Sequence, residues 1–355
     1  MGVHDLVVIG QGAAGLTAAL YAARYKVDVV VVGEQLGGET ALASSIENYP
    51  GAPSANGLEL MIEFRKQVEQ YRVPILDERV EAVSSHGDGW QLRVSNEVEL
   101  QAASLIFAHG RRRRVFGLPH EAEWTGKGIS YCSTCDAPLN RDKVVGVVGG
   151  GSAAVEGALL NAQYAKQVYL IYRGSKLTRP EPILIDLLGT LPNVKVLFQT
   201  EVIELTGDDE AGLRGVRLSR ASADSTEHLA LDTLFVEIGA EPLTELPVSI
   251  GVGLNAETGE VHVDRLMGTS VPGVFAAGDL TDGSGPMKQT VTAAAQGAVA
   301  AMSAYHYLTR RSAADVRVGE PFAPGRMAGP LDRLPASKPT TPLRSGAEVS
   351  GHEER

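Results

Sequence analysis

The sequence predicts an α/β protein of two Rossmann-like nucleotide-binding domains, each a three-layer, doubly wound sheet, with the first domain discontinuous in the chain. Three observations carry that expectation. Apolar runs meet glycine-rich turns twice, at 5–15 and at 143–154. Each turn opens a stretch of small residues with helical character. A third glycine-rich segment, Gly273 to Asp279, precedes another small-residue helix late in the chain.

Taken in order, Asp5-Leu6-Val7-Val8-Ile9 reads as a buried strand, followed by Gly10-Gln11-Gly12-Ala13-Ala14-Gly15, a helix to about Tyr25 and a second strand from Val27 to Val32. The second unit repeats the order. Lys143 to Val148 is the strand, Gly149-Gly150-Gly151-Ser152-Ala153-Ala154 the turn, then a helix to about Ala165 and a strand from Gln167 to Tyr172. The third lacks the full glycine pattern and leads into a helix from about Val291 to Leu308. Breaker-rich points at Gly117-Leu118-Pro119 and Gly239 to Pro242 flank the second unit. The second domain is therefore expected over 116–242, and the first over 1–115 and 243–310. From 311 to 355 six prolines fall between Pro321 and Pro342 without apolar periodicity, the composition of a disordered tail.

The chain has 355 residues, enough for two cores, with 44% hydrophobic and 21% charged residues, as in globular proteins. A formal charge of −11 argues against nucleic acid or anionic membrane as a general partner. No apolar run reaches membrane-spanning length, and Met1 leads directly into the first strand without a secretory leader, so a cytoplasmic location is expected. Only two cysteines occur, spaced Cys-x-x-Cys, which suits a reducing compartment where such pairs are catalytic or bind metal.

The chemistry follows from the turns. A Gly-x-Gly-x-x-Gly turn lets backbone amides and a helix N-terminus approach a pyrophosphate. Gly10, Gly12, Ala13 and Gly15 form such a turn, and Glu34, 19 residues beyond Gly15, is placed to accept hydrogen bonds from a ribose. In the second turn Gly149, Gly151, Ser152 and Ala154 play the same part, but Arg173 stands at the acidic position, with Lys176 and Arg179 close behind. Cations there suit a 2′-phosphate, hence NADPH, although a solvated basic turn would look the same. Cys132-Ser133-Thr134-Cys135 could be a redox pair, half of a zinc site or two unrelated thiols. Zinc needs about four ligands and no second Cys or His pair is at hand, so a redox pair is the better reading. Asp136 could shuttle the proton a leaving thiolate needs, or simply cap a helix.

With these residues in place, positions 4–308 resemble the low-molecular-weight thioredoxin reductases. The resemblance rests on colinear motifs: the first fingerprint, Gly37-Gly38-Glu39, Ile46 to Gly51, Cys132 to Asp136, the second fingerprint, Gly273 to Asp279 and Lys288-Gln289. It implies a thioredoxin-disulfide reductase whose first domain binds FAD at Gly10, Gly12, Ala13, Gly15, Glu34 and Gly38. Asp279 would hold the ribityl chain, and Asn48 and Gln289 would lie near the isoalloxazine. NADPH would use Gly149, Gly151, Ser152, Ala154, Arg173 and Arg179. Cys132 is then the interchange thiol, Cys135 faces the flavin, and Asp136 is the acid/base. A homodimer, a thioredoxin-like protein partner and a rotation of the NADPH domain are also implied.

Departures from the family pattern concern its His-Arg-Arg, here Tyr172-Arg173-Gly174, its Ala-Thr-Gly, here Ala108-His109-Gly110, and a Gln replaced by Glu39. The first favours a rival, a flavin disulfide oxidoreductase fed by ferredoxin or deazaflavin, or a dithiol oxidase; the intact second glycine turn opposes it. A nucleotide-sensing or partner-binding protein on the same fold is a third reading. His109 could touch the flavin or the hinge, but an isolated histidine is more often hydrogen-bonded structure, and Arg111 to Arg114 are expected to pair with the protein's own carboxylates or to contact an acidic partner or a cofactor phosphate.

Overall fold

Strands buried on both faces need near-continuous apolar sequence, and the first sheet is built from such runs. The computed structural model describes residues 2–43, 46–52, 56–208, 210–221 and 226–315. Strand Gly2–Ile9 pairs in parallel with Val29–Val32 on one side and Glu99–Phe107 on the other, and Val29–Val32 pairs with Ile75–Leu76. Leu6, Val7, Val8 and Val31 are wholly buried. Glu99–Phe107 forks the sheet. Its first half pairs antiparallel with Gly89–Val94, and its second half pairs in parallel with Val274–Ala276. A late segment thus completes a sheet begun at the N-terminus, so the first domain is discontinuous in the chain.

Helices Ala13–Arg24 and Thr290–Asp315 pack on each other over this sheet. They approach closely at Gly297, where a Cβ would lie 2.1 Å from the Ala14 carbonyl oxygen. The last helix runs beyond the expected limit at Leu308, into the segment assigned to the tail. From 316 onward that tail lies outside the described residues.

The second sheet is parallel throughout, in the order Val194–Leu197, Gln167–Ile171, Val144–Val148, Thr233–Val236, Ile129–Ser130. An antiparallel sheet of Thr200–Asp208, Gly212–Arg220 and Thr226–Ala230 accompanies it. The two halves are joined by a two-stranded ribbon, Arg111–Arg113 against Ala240–Pro242. The arginine run is therefore a strand of the connection.

Candidate active site

The carboxyl ends of the first sheet converge on one cavity of about 980 Å³. Across the sheet, its wall carries Glu34 after Val29–Val32, Gly10 and Gly12 after Gly2–Ile9, Ala108 and His109 after Glu99–Phe107, and Gly278 and Asp279 after Val274–Ala276. This is where ligands of open α/β sheets bind. Each fingerprint glycine has its own reason. Gly10 sits at φ +117° with its would-be Cβ 2.4 Å from the Ala108 oxygen, and a Cβ on Gly15 would lie 2.0 Å from the Gly10 oxygen. Nothing comes nearer than 4.0 Å to a Cβ on Gly12, which precedes the first helical turn, so the helix N-terminus stays open to an anion. Behind the turn, Gln11 bonds the Gly33 carbonyl and Asp77, and Arg65 grips Asp77 at 2.7 and 3.2 Å. That clasp holds the Asp77 carboxyl below its ordinary pKa.

Ala13, Gly38 and Gln289 also line the cavity. Asn48 does not, but its Nδ2 donates to Gln289 Oε1 at 3.1 Å, so the two residues expected together are together. Asp279 is half-buried and its pKa is raised by desolvation, against the pull of Arg111 and Lys288. Those cations share the buried Glu260: Arg111 pairs with it and donates to the Asp279 carbonyl at 3.0 Å, while Lys288 reaches it at 2.9 Å. Arg112 pairs with Glu241 and Glu245, and Arg113 with Glu39 and Glu237. For these three arginines the pairing with the chain's own carboxylates is the observed one.

The second cluster is separate from that cavity. Gly149, at φ +150°, would place a Cβ 2.2 Å from the Glu237 oxygen and 2.8 Å from the Ala154 Cβ, so both positions must stay small. Gly151 precedes helix Ser152–Ala162 with open space before it. The Tyr172 ring lies over Gly150 and Gly174, whose would-be Cβ atoms fall 2.1 and 2.5 Å from its carbons. Arg173, Lys176 and Arg179 are exposed, and their side chains have no partner among the described residues.

Beside this turn, Cys132 and Cys135 form a disulfide at the start of the short helix Ser133–Asp136. Cys135 is exposed, Cys132 and Asp136 are half-buried, and neither sulfur lines the cavity of the first sheet. Helix Ser152–Ala162 approaches this segment through Gly157, where a Cβ would meet Ser133 Oγ at 2.6 Å. Ser133 Oγ donates to Glu237 at 3.0 Å. Burial raises the Glu237 pKa, while Arg113 and Ser133 oppose it. Sequence reading missed Glu237 and the role of Arg113. The available signal was a lone carboxylate closing the apolar run Thr233 to Val236.

Two glycine turns at the ends of parallel strands, an open dinucleotide-sized cavity on the first sheet and a disulfide beside the second turn, define a two-nucleotide disulfide oxidoreductase. The family model for pyridine nucleotide-disulphide oxidoreductases matches residues 4–297. The chain is 35% identical over 313 residues to a thioredoxin reductase of Coxiella burnetii, covering 86% of this chain and 96% of that one. It is 37% identical over 313 residues to an alkyl hydroperoxide reductase protein of Pseudomonas putida, covering 87% of this chain but only 59% of that longer protein. Among solved structures, a Lactococcus lactis thioredoxin reductase in its FR conformation superposes with a TM-score of 0.82 at 30% identity, covering 86% of this chain and 99% of that one. The chain belongs to the pyridine nucleotide-disulphide oxidoreductases, in their low-molecular-weight thioredoxin reductase branch. That family implies FAD and a pyridine nucleotide. The first cavity fits the former: it offers an open helix N-terminus for the pyrophosphate and Glu34 for a ribose.

Proposed function

We propose that the protein is an NADPH-dependent thioredoxin-disulfide reductase, working as a cytoplasmic homodimer on a thioredoxin-like protein. The observation that carries this reading is the Cys132–Cys135 disulfide lying beside the second glycine turn, apart from the first cavity. FAD, held at Gly10, Gly12, Ala13, Gly15, Glu34, Gly38, Asn48, Asp279 and Gln289, would supply two-electron transfer between the nicotinamide and this disulfide.

The chain's own residues do the rest. Once reduced, the Cys132 thiolate attacks the partner disulfide, and its sulfur bonds one partner sulfur while the other leaves as a thiolate and takes a proton. Cys135 then attacks Cys132, which re-forms the internal disulfide and releases the second partner thiol. Asp136 is the nearest carboxylate in sequence to serve these proton transfers. The proposed division into an FAD domain at 1–115 and 243–310 and an NADPH domain at 116–242 is supported by the two separate sheets and the ribbon between them.

NADPH preference is supported by Arg173, Lys176 and Arg179, which are exposed after the second glycine turn and have no carboxylate partner among the described residues. One observation favours the rival without a pyridine nucleotide: the Tyr172 ring covers Gly150, the middle of the second turn. Anaerobic mixing with NADPH and with NADH, followed by flavin absorbance, separates the two. Rapid bleaching by NADPH is expected. Arg173→Ala should raise the NADPH requirement roughly 10-fold, as loss of one charge-assisted contact does, and leave NADH unchanged. Absence of bleaching by either nucleotide, with ready reduction by dithiols, would transfer the assignment to the rival.

A further inference from the structure

A buried carboxylate that the exchange steps above do not use, Glu237, stands between the second glycine turn and the redox pair. Strand Thr233–Val236 pairs on one side with Val144–Val148, Val236 opposite Val148, and on the other with Ile129–Ser130, Phe235 opposite Ser130. Continuing those two registers sets Glu237 level with Gly149 and with Cys132. The contacts agree: the Glu237 amide donates to the Val148 carbonyl at 2.9 Å, and its side chain accepts from Ser133 Oγ at 3.0 Å. Ser133 lies between the two cysteines, is buried, and is hemmed in by Gly157 of the neighbouring helix, which leaves its hydroxyl little freedom to turn away.

Holding Ser133 does not require a charge. An amide oxygen would accept the same bond without the cost of burying a carboxylate. Burial raises the Glu237 pKa, and Arg113 and the Ser133 hydroxyl act against that rise. The charged groups around it come from each neighbouring element: Arg113 on the ribbon at 3.3 Å, Glu39 behind Arg113, and Glu156 on helix Ser152–Ala162, while Asp136 ends the redox helix itself. Among these Arg113 is the cation. A disulfide is neutral and indifferent to such a carboxylate, whereas a thiolate one hydrogen-bonded residue away is disfavoured by it.

We propose that Glu237 is a positioning residue for disulfide exchange: through Ser133 it holds the turn between the cysteines and places a negative charge beside Cys132, which limits how much attacking thiolate forms. The inference rests on reading Cys132 and Cys135 as the redox pair, with Cys132 the attacking thiol. Its test uses the full-length Cys135→Ser holoprotein, in which Cys132 is the chain's sole thiol. The probe is iodoacetamide, from which the Cys132 thiolate displaces iodide to form a carbon–sulfur bond. Adduct formation is followed by intact-protein mass as a function of pH. Adding Glu237→Gln, which keeps an oxygen for Ser133 but loses the charge, should move the midpoint of that profile down by roughly one pH unit. Alkylation at neutral pH should then be about threefold faster, the gain in thiolate being partly offset by its weaker nucleophilicity. Adding Arg113→Met instead leaves the carboxylate unbalanced and should move the midpoint upward. Far-UV circular dichroism of each variant reports folding, and either variant alone decides the matter.

A Glu237→Gln profile that overlays its parent would overturn the inference, making Glu237 an acceptor that any oxygen could replace and leaving the redox pair in place. An Arg113→Met midpoint that stays or falls would overturn it too. Disulfide turnover that survived Cys132→Ser would sink the redox reading itself, and this inference with it.

Discussion

At the scale of single residues, the two cysteines differ before any chemistry begins. Cys132 precedes a one-turn helix and its sulfur accepts the Cys135 amide at 3.2 Å, while Cys135 is the more exposed of the two. Exposure in the oxidised form therefore does not by itself select the sulfur that meets a partner. Replacing each cysteine separates the roles. Cys135→Ser should accumulate a mixed disulfide between Cys132 and the protein substrate, stable on a non-reducing gel, with turnover lost; Cys132→Ser should lose turnover without that adduct. The reverse pattern would exchange the two assignments. Residues whose identity is forced by local geometry were legible in the sequence: Gly10 and Gly15 because any side chain would strike backbone, and Gly12 because a ligand must come close. Glu237 was not, since its meaning depends on Ser133 and Arg113, each more than a hundred positions away.

At the scale of elements, hydrophobic runs announced the parallel strands because both of their faces are covered. The antiparallel parts at 80–102 and 200–230 went unread. Their alternation is broken by bulges between Val80 and Ala82, between Val202 and Glu204 and between Thr206 and Gly207, which shift the period of two on which a strand reading depends. Helix ends shifted by a few residues, as at Ala162 in place of Ala165, where the chain closes in a turn with the Tyr164 and Ala165 amides both bonded to Asn161. Helix packing makes a sharper prediction. Gly297 lets the last helix touch Ala14 of the first fingerprint helix, and a Cβ at 2.1 Å from that carbonyl cannot be accommodated without moving backbone. Gly297→Ala gains helix propensity yet should destabilise the protein by about 1–3 kcal/mol and lower flavin content, because the helix it displaces carries the phosphate-binding turn. Urea denaturation and the flavin-to-protein absorbance ratio measure the two effects. A more stable, fully yellow variant would show that the crossing has slack.

At the scale of the whole molecule, two sheets with separate sites must exchange electrons, so the connection between them matters as much as either site. Arg113, on the connecting ribbon, reaches Glu39 on the first cavity and Glu237 beside the disulfide, at 3.3 Å each. These two contacts have unequal strength. The Glu237 side chain is 7% exposed and that of Glu39 is 43% exposed. A buried carboxylate that loses its cation is left without compensation, whereas water replaces much of an exposed pair. The disulfide side should therefore keep Arg113, and the link to Glu39 is the one that would yield in a reorientation of the domains. Double-mutant cycles on unfolding free energy test this with Arg113→Met, Glu237→Gln and Glu39→Gln. The Arg113 and Glu237 pair should couple by about 2 kcal/mol, and the Arg113 and Glu39 pair by less than about 1. If Glu39 couples as strongly as Glu237, Arg113 fastens the domains in this arrangement, and reorientation would have to break a strong contact on every turnover.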